Sequence, residues 1–268
     1  MKKLIVLIML VSALFANVVK SPIVSVDEKN SMATIQIDKV DIGMSGFVVH
    51  KLDETHGAIV KNAVVQSYDK NTKIASLKLY DFDMLQTDAL PNGKWHVKKG
   101  DTVILAFGYK RAFLVAPNEE IYYRVVNSAK NIEWVHPDIF ATILSINGHP
   151  TPLKSDFKQM SQTASVGILF FFLDRNLFTL DAKSFKILNI SDAMLLQESV
   201  QLPFYTRVKE IDANWWGEGS NELKDYETYY YKLIVQHNKK SKRLYKIIKN
   251  ANEKLNYLLK DFEIGDVK

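Results

Sequence analysis

The chain has 268 residues, 47% of them hydrophobic and 24% charged, with a formal net charge of +5. That composition supports a sizeable core and excludes global disorder, and the length suits one large or two small domains. Cysteine is absent, which excludes disulfides, thiolate metal sites and a lipid-attached cysteine, and leaves stability to core packing.

The first stretch reads MKKLIVLIMLVSALFANVVKSP. Lys2 and Lys3 precede an apolar run, Leu4 to Phe15. At about a dozen residues that run is short for a membrane span and fits a secretory leader. Residues 1–16 are therefore expected to be a signal peptide, cut after Ala16. The mature chain then works outside the cytoplasm, in the periplasm or on the outer surface of a bacterial envelope. No later apolar run approaches about 20 residues, so no transmembrane span is expected after cleavage.

Residues 17–110 read as a β domain. PIVSVDEKNSMATIQID alternates apolar and polar residues around Glu28-Lys29-Asn30, a hairpin pattern. In VDIGMSGFVVH, Gly43 and Gly46 permit a bend or bulge. GAIVKNAVVQSYD and TKIASLKLYDF form a second strand pair, turning through Asp69-Lys70-Asn71. HVKKGDTVILAF adds a third, with Lys99-Gly100-Asp101 as its turn. Short strands at this spacing point to a small antiparallel barrel or sandwich.

Residues 111–190 read as an α/β unit. FLVAP feeds the helix NEEIYYRVVNSAK, which Asn118 can cap and whose positive end suits Glu119 and Glu120. NIEWV is extended. HPDIFATILSI is a helix with Pro137 at its first position and Gly148 at its end. Thr151-Pro152 is expected to start LKSDFKQMSQ in the same way. VGILFFFL is a buried strand, and NLFTLD and SFKILN turn back from it.

Residues 191–268 end in a basic helical segment. Leu223, Tyr226, Tyr230, Leu233 and Ile234 keep helical spacing up to a break at His237-Asn238. Leu244, Ile247, Ile248, Ala251, Leu255, Leu258 and Phe262 continue it, as one amphipathic helix or a helical hairpin. From Lys232 to Lys268 ten Lys or Arg stand against four Asp or Glu, while residues 17–231 are mildly acidic. A solvated helix face usually mixes Glu with Lys. The one-sided excess favours an acidic partner, and an exported chain is not expected to meet nucleic acid. The whole chain thus reads as α+β: a β barrel or sandwich, a small α/β unit, then C-terminal amphipathic helices.

Catalytic and cofactor motifs are missing. The sequence has no Gly-x-Ser-x-Gly elbow, dinucleotide fingerprint or phosphate-cradling Gly-Lys-Ser/Thr loop. His50 and His56 flank Asp53 and Glu54, a combination better read as a polar loop than a metal site. No cofactor or metal is expected, and the chain reads as a binding protein rather than an enzyme. Trp215-Trp216, beside Gly217 and Gly219, can stack a sugar ring or lock the C-terminal helices onto the core. Packing is the favoured reading.

VDIGMSGFVVH, GKWHVKKGDTVILAFGYKRAFLVAPNEEIYYRV and HPDIFATILSINGHPTPLKSDF resemble the N-terminal domain family of bacterial plasminogen-binding protein A. The likeness spans about Pro22 to Asn189. It implies capture of host plasminogen at the bacterial surface, through modules that recognise lysine side chains. In such recognition an acidic pair holds the ammonium and aromatic walls pack the methylene stem. Lys246, Lys249, Lys254, Lys260 and Lys268 are then the binding residues, Lys268 offering an ammonium and an α-carboxylate together. The alternative is a periplasmic scaffold that contacts an envelope protein and no host ligand.

Overall fold

A computed structural model of the chain describes residues 18–82, 95–193, 195 and 199–264. The expected leader lies outside the described residues. Two compact units divide the chain between Tyr109 and Lys110.

The first unit is a closed six-stranded barrel, all antiparallel. Its strands are β1 (Val19–Asp27), β2 (Met32–Gln36), β3 (Ser45–Lys51), β4 (Gly57–Asp69), β5 (Ile74–Asp81) and β6 (Thr102–Leu105). Their order is β1-β2-β5-β4-β3-β6, and β6 closes on β1 from Val19↔Leu105 to Pro22↔Thr102. Alternation fills the interior: Ala33 and Ile35, Ala63 and Val65, Ala75 and Leu77, Val103 and Leu105 are all buried. Closure pairs every strand on both sides, which removes the exposed edges of an open sheet. Register shifts at Ile23/Ser25, Val48/Val49 and Val65/Ser67 supply the local bends that closure needs.

The sequence suggested a strand pair in HVKKGDTVILAF. The structure holds only its second arm, β6, with the turn at Lys99-Gly100 retained. The first arm is held another way: the Lys98 amide donates to the Asp101 carboxylate at 2.7 Å. Gly46 is needed for its smallness. A Cβ there would lie 2.0 Å from the Ile104 carbonyl oxygen on the neighbouring strand.

The second unit is a five-stranded mixed sheet, order β11-β10-β9-β7-β8. Here β7 is Arg111–Val115, β8 Glu133–Val135, β9 Ile168–Leu173, β10 Asn176–Asp181 and β11 Ile187–Asp192. β7 pairs in parallel with β8 and β9, and β9, β10 and β11 form an antiparallel meander. All six residues of β9 are buried, which explains its unbroken apolar run. Helix α1 (Glu119–Ser128) crosses from β7 to β8, and α2 (Pro137–Asn147) and α3 (Lys154–Thr163) lead into β9.

Helix starts follow local chemistry. Asn118 caps α1 by accepting from the Ile121 amide at 2.9 Å. Pro137 opens α2, and Gly148 ends it with φ 68°, a conformation open to glycine. Pro152 does not open α3. The helix begins two residues later, where the Asp156 carboxylate accepts from the Leu153 amide at 2.7 Å.

Helices α4 (Tyr226–His237) and α5 (Lys242–Lys249) and a 3-10 helix (Glu253–Asp261) complete the unit. They join the sheet in one core. Phe113, Phe140, Phe157, Phe171, Phe178 and Phe185 cluster with Tyr226, Tyr230, Leu244, Ile248, Leu255 and Leu258. Most rings meet tilted or edge-on, such as Phe113–Phe140 at 5.0 Å and Phe171–Tyr230 at 5.6 Å, while Phe140 and Phe204 stack at 5.4 Å.

A Gly46→Ala substitution forces the Ile104 backbone away from β3. It should destabilise the protein by about 1–3 kcal/mol, read as a lower urea midpoint by far-ultraviolet circular dichroism.

Candidate functional site

The basic C-terminal segment takes its geometry from caps and an apolar face. Asp225 starts α4 by accepting from the Thr228 amide at 3.0 Å. The helix ends where expected. Asn238 is buried, its side chain accepting from the Ile187 amide at 2.9 Å and donating to the Ile234 and Phe185 carbonyls. Ser241 caps α5, accepting from the Leu244 amide at 3.3 Å. Leu244 and Ile248 point into the core, so Lys242, Arg243, Lys246 and Lys249 face solvent.

The apolar period does not continue as one helix. Asn250 ends α5, and Asn252 caps a separate 3-10 helix by accepting from the Lys254 amide at 3.1 Å. There Leu255 and Leu258 are buried, while Lys254 and Lys260 are exposed. Lys246 and Lys249 thus sit on one helix and Lys254 and Lys260 on the next. Lys268 lies outside the described residues.

These lysines are not equivalent. Lys254 pairs with Asp225 at 3.2 Å. Burial pushes the Asp225 carboxyl up, but the Thr228 amide and the Lys254 ammonium outweigh it and leave it below its ordinary value. Among the described residues, Lys246, Lys249 and Lys260 have no ion-pair partner.

Lys246 also lines a shallow groove of about 300 Å³. Arg243, Ile247 and Ala251 line it from the same segment, with Asp174 from the β9–β10 turn and Asn176 from the start of β10. Two cations and a carboxylate around an apolar floor suit a ligand with charges of both signs. Arg243 and Asp174 were not singled out from sequence. Arg243 stands three residues before Lys246, so helical spacing alone puts the two on one face. Asp174 reads only as a turn residue, and its place beside α5 is a tertiary fact.

Trp215 and Trp216 overturn the packing expectation. They are 97% and 82% exposed, and neither belongs to the core. Their loop is nevertheless anchored. The Asn214 amide donates to the Gly148 carbonyl at 2.9 Å, and its side chain to the Asn147 carbonyl at 2.7 Å. Beyond the tryptophans, the Thr151 amide donates to the Gly219 carbonyl at 3.1 Å. Ile146, at the end of α2, is 75% exposed.

His50 and His56 take separate partners. His50 Nδ1 lies 2.7 Å from Asp101, and His56 Nδ1 lies 2.9 Å from Asp53. Among the described residues no three His, Asp or Glu side chains gather as metal ligands. Among them, too, no helix is long and apolar enough to cross a membrane.

These features define a two-unit α+β protein with a closed barrel and a basic helical surface. The family described as "Plasminogen-binding protein pgbA N-terminal" matches residues 18–234, and the chain belongs to that family. The chain is similar to plasminogen-binding protein PgbA of Helicobacter pylori strain J99, 30% identical over 208 residues. It is 29% identical over 209 residues to the protein of the same name from strain 26695. Each match covers 76% of this chain and 44% of the relative, so the chain spans less than half of those relatives. The family match ends at Ile234, inside α4, and the lysines of α5 and the 3-10 helix lie beyond it.

Replacing Trp215 and Trp216 by Ala should change stability by no more than about 0.5 kcal/mol, because neither ring is packed. Thermal melts check this. The same variant should lose most of the iodide-quenchable tryptophan fluorescence; a large fall in melting temperature would mean the rings are packed after all.

Proposed function

We propose that the chain is an exported binding protein without catalytic activity, which captures host plasminogen at the bacterial surface through lysine side chains. Lys246, Lys249 and Lys260 are the main contacts, with Lys254 and Lys268 in support. Family membership supports the ligand, since the matched relatives carry plasminogen binding in their names. The observation that carries the residue choice is that α5 and the 3-10 helix bury their leucines and leave ammonium groups exposed. A lysine-recognising module needs an ammonium that no local carboxylate already holds. Three of the four described lysines meet that condition, while Lys254 must first leave Asp225. An exposed ion pair of that kind costs only about 0–1 kcal/mol to break.

Residues 1–16 are proposed as the leader that delivers the chain. Host capture requires the outer surface, whereas a second reading places the protein in the periplasm as a scaffold for an envelope protein. The exposed Trp215-Trp216 loop offers such a scaffold a contact point, since tryptophan is enriched at interface hot spots.

Immobilised plasminogen should bind the purified protein, and a soluble lysine analogue should compete. Replacing Lys246, Lys249 and Lys260 together by Gln should weaken binding at least tenfold, with an unchanged circular dichroism spectrum. Changing Lys254 alone should have a smaller effect. Binding that ignores both the analogue and the triple variant would refute the lysine mechanism.

A further inference from the structure

A second basic cluster lies away from the α5 lysines. Lys154 is the first residue of α3, Lys186 directly precedes β11, and His237 is the last residue of α4. The fold brings these three together from distant parts of the sequence. Lys154 Nζ lies 3.4 Å from His237 Nδ1, and Lys186 donates its ammonium proton to the His237 carbonyl oxygen. Phe185 forms one wall. Its ring meets the His237 ring at 5.4 Å, and Lys154 Nζ stands 6.0 Å over it. Lys186 is exposed and the other two are half-buried, so the cluster is open to a solute.

We propose that Lys154, Lys186 and His237 form an oxyanion-binding site, which takes a phosphate or carboxylate group.

The argument rests on charge. Two ammonium groups meet at one residue, Lys154 at the His237 ring and Lys186 at its carbonyl oxygen, and neither forms an ion pair with a carboxylate among the described residues. The surroundings add more positive charge: Lys158 acts on Lys154, and Lys240 on Lys186. Among the described residues the Glu263 carboxylate pulls on Lys186, and it already pairs with Lys239 at 3.4 Å. Burial and these charges act on all three groups. Burial, followed by Lys154 and Lys186, pushes the His237 imidazole down to about 4. Burial and then Lys186 and Lys158 lower Lys154. Burial and then Lys240 lower Lys186, against the pull of Glu263.

A local structural role accounts for part of this. Lys186 caps the last turn of α4, where the carbonyl end of the helix favours a cation. That explains one lysine and not two, and it leaves Lys154 leaning on a neutral imidazole. With Lys154 donating to Nδ1, the His237 proton sits on Nε2, across the ring, so the two ammonium groups supply the donors and the imidazole reports on the charge beside it. A tetrahedral or planar oxyanion accepts from several such donors at once, and bonds with a charged partner are the stronger kind. The surrounding cations also raise the local concentration of anions.

The test follows the His237 ring by nuclear magnetic resonance in protein labelled at histidine. Inorganic phosphate or acetate is added at matched ionic strength, with chloride as the control. Phosphate should shift the His237 signal saturably and move its titration midpoint up by about one pH unit, the scale of a close opposite charge. Acetate tells whether a carboxylate serves as well. In a Lys154→Gln, Lys186→Gln variant, the midpoint should rise without any anion, and the saturable response should vanish. Lys154→Arg keeps the charge and should keep the response. An equal response to chloride, or a phosphate response that survives the double variant, would overturn the site. None of these readouts involves plasminogen.

Discussion

The Tyr226 hydroxyl fixes how the C-terminal third of the chain is assembled. It lies 3.1 Å from the Val115 carbonyl and 3.0 Å from the Phe172 carbonyl, at the ends of the adjacent parallel strands β7 and β9. The residue is fully enclosed, and burial raises its phenol well above the ordinary value, so it stays a neutral donor. A buried hydroxyl without a partner costs about 1–3 kcal/mol, which penalises any other placement of the helix. The next residues reinforce the register. Tyr229 donates to the Pro152 carbonyl, and Tyr230 to the Pro203 carbonyl at 2.9 Å. Helix α4 is thereby tied to the sheet, to the chain before α3 and to the irregular segment before it.

Once α4 is set, the faces of the following elements are decided. Leu244 and Ile248 complete the core beside it, Leu255 and Leu258 extend that core, and the intervening lysines lie on the exposed side. The hold on the segment is apolar. The Lys254–Asp225 pair is about half-exposed on both sides and adds little. The tail therefore needs no attraction between its charges and the rest of the unit. Among the described residues that leaves Lys246, Lys249 and Lys260 without an ion-pair partner, while Lys239 and Lys254 hold Glu263 and Asp225.

Local sequence made most of the secondary structure readable. The hairpins turn where Asp, Asn and Gly cluster, and both strong helix starts follow from Asn118 and Pro137. The misreadings share a cause: a local signal lost to a contact it could not see. Pro152 resembles a helix start, but the Asp156 carboxylate reaches back to the Leu153 amide and sets the start later. The apolar spacing runs through Ala251, yet Asn250 and Asn252 end one helix and begin another. Trp215 and Trp216 suggest burial by size alone. Their loop is pinned by backbone bonds at Asn214 and Gly219, with the two rings between the pins left outside.

The two basic surfaces divide along the same line. The α5 lysines could be picked out because helical periodicity puts them opposite the leucines. Lys154, Lys186 and His237 could not, since they are brought together across 83 residues of chain by the docking of α4. They also differ in origin. Lys154 and Lys186 lie within the family match, and His237 lies three residues past its end, on a helix the match enters. The lysines of α5 and the 3-10 helix lie wholly beyond it. The exposed lysines of α5 and the 3-10 helix rest on the apolar seat that Tyr226 and Tyr230 hold in place.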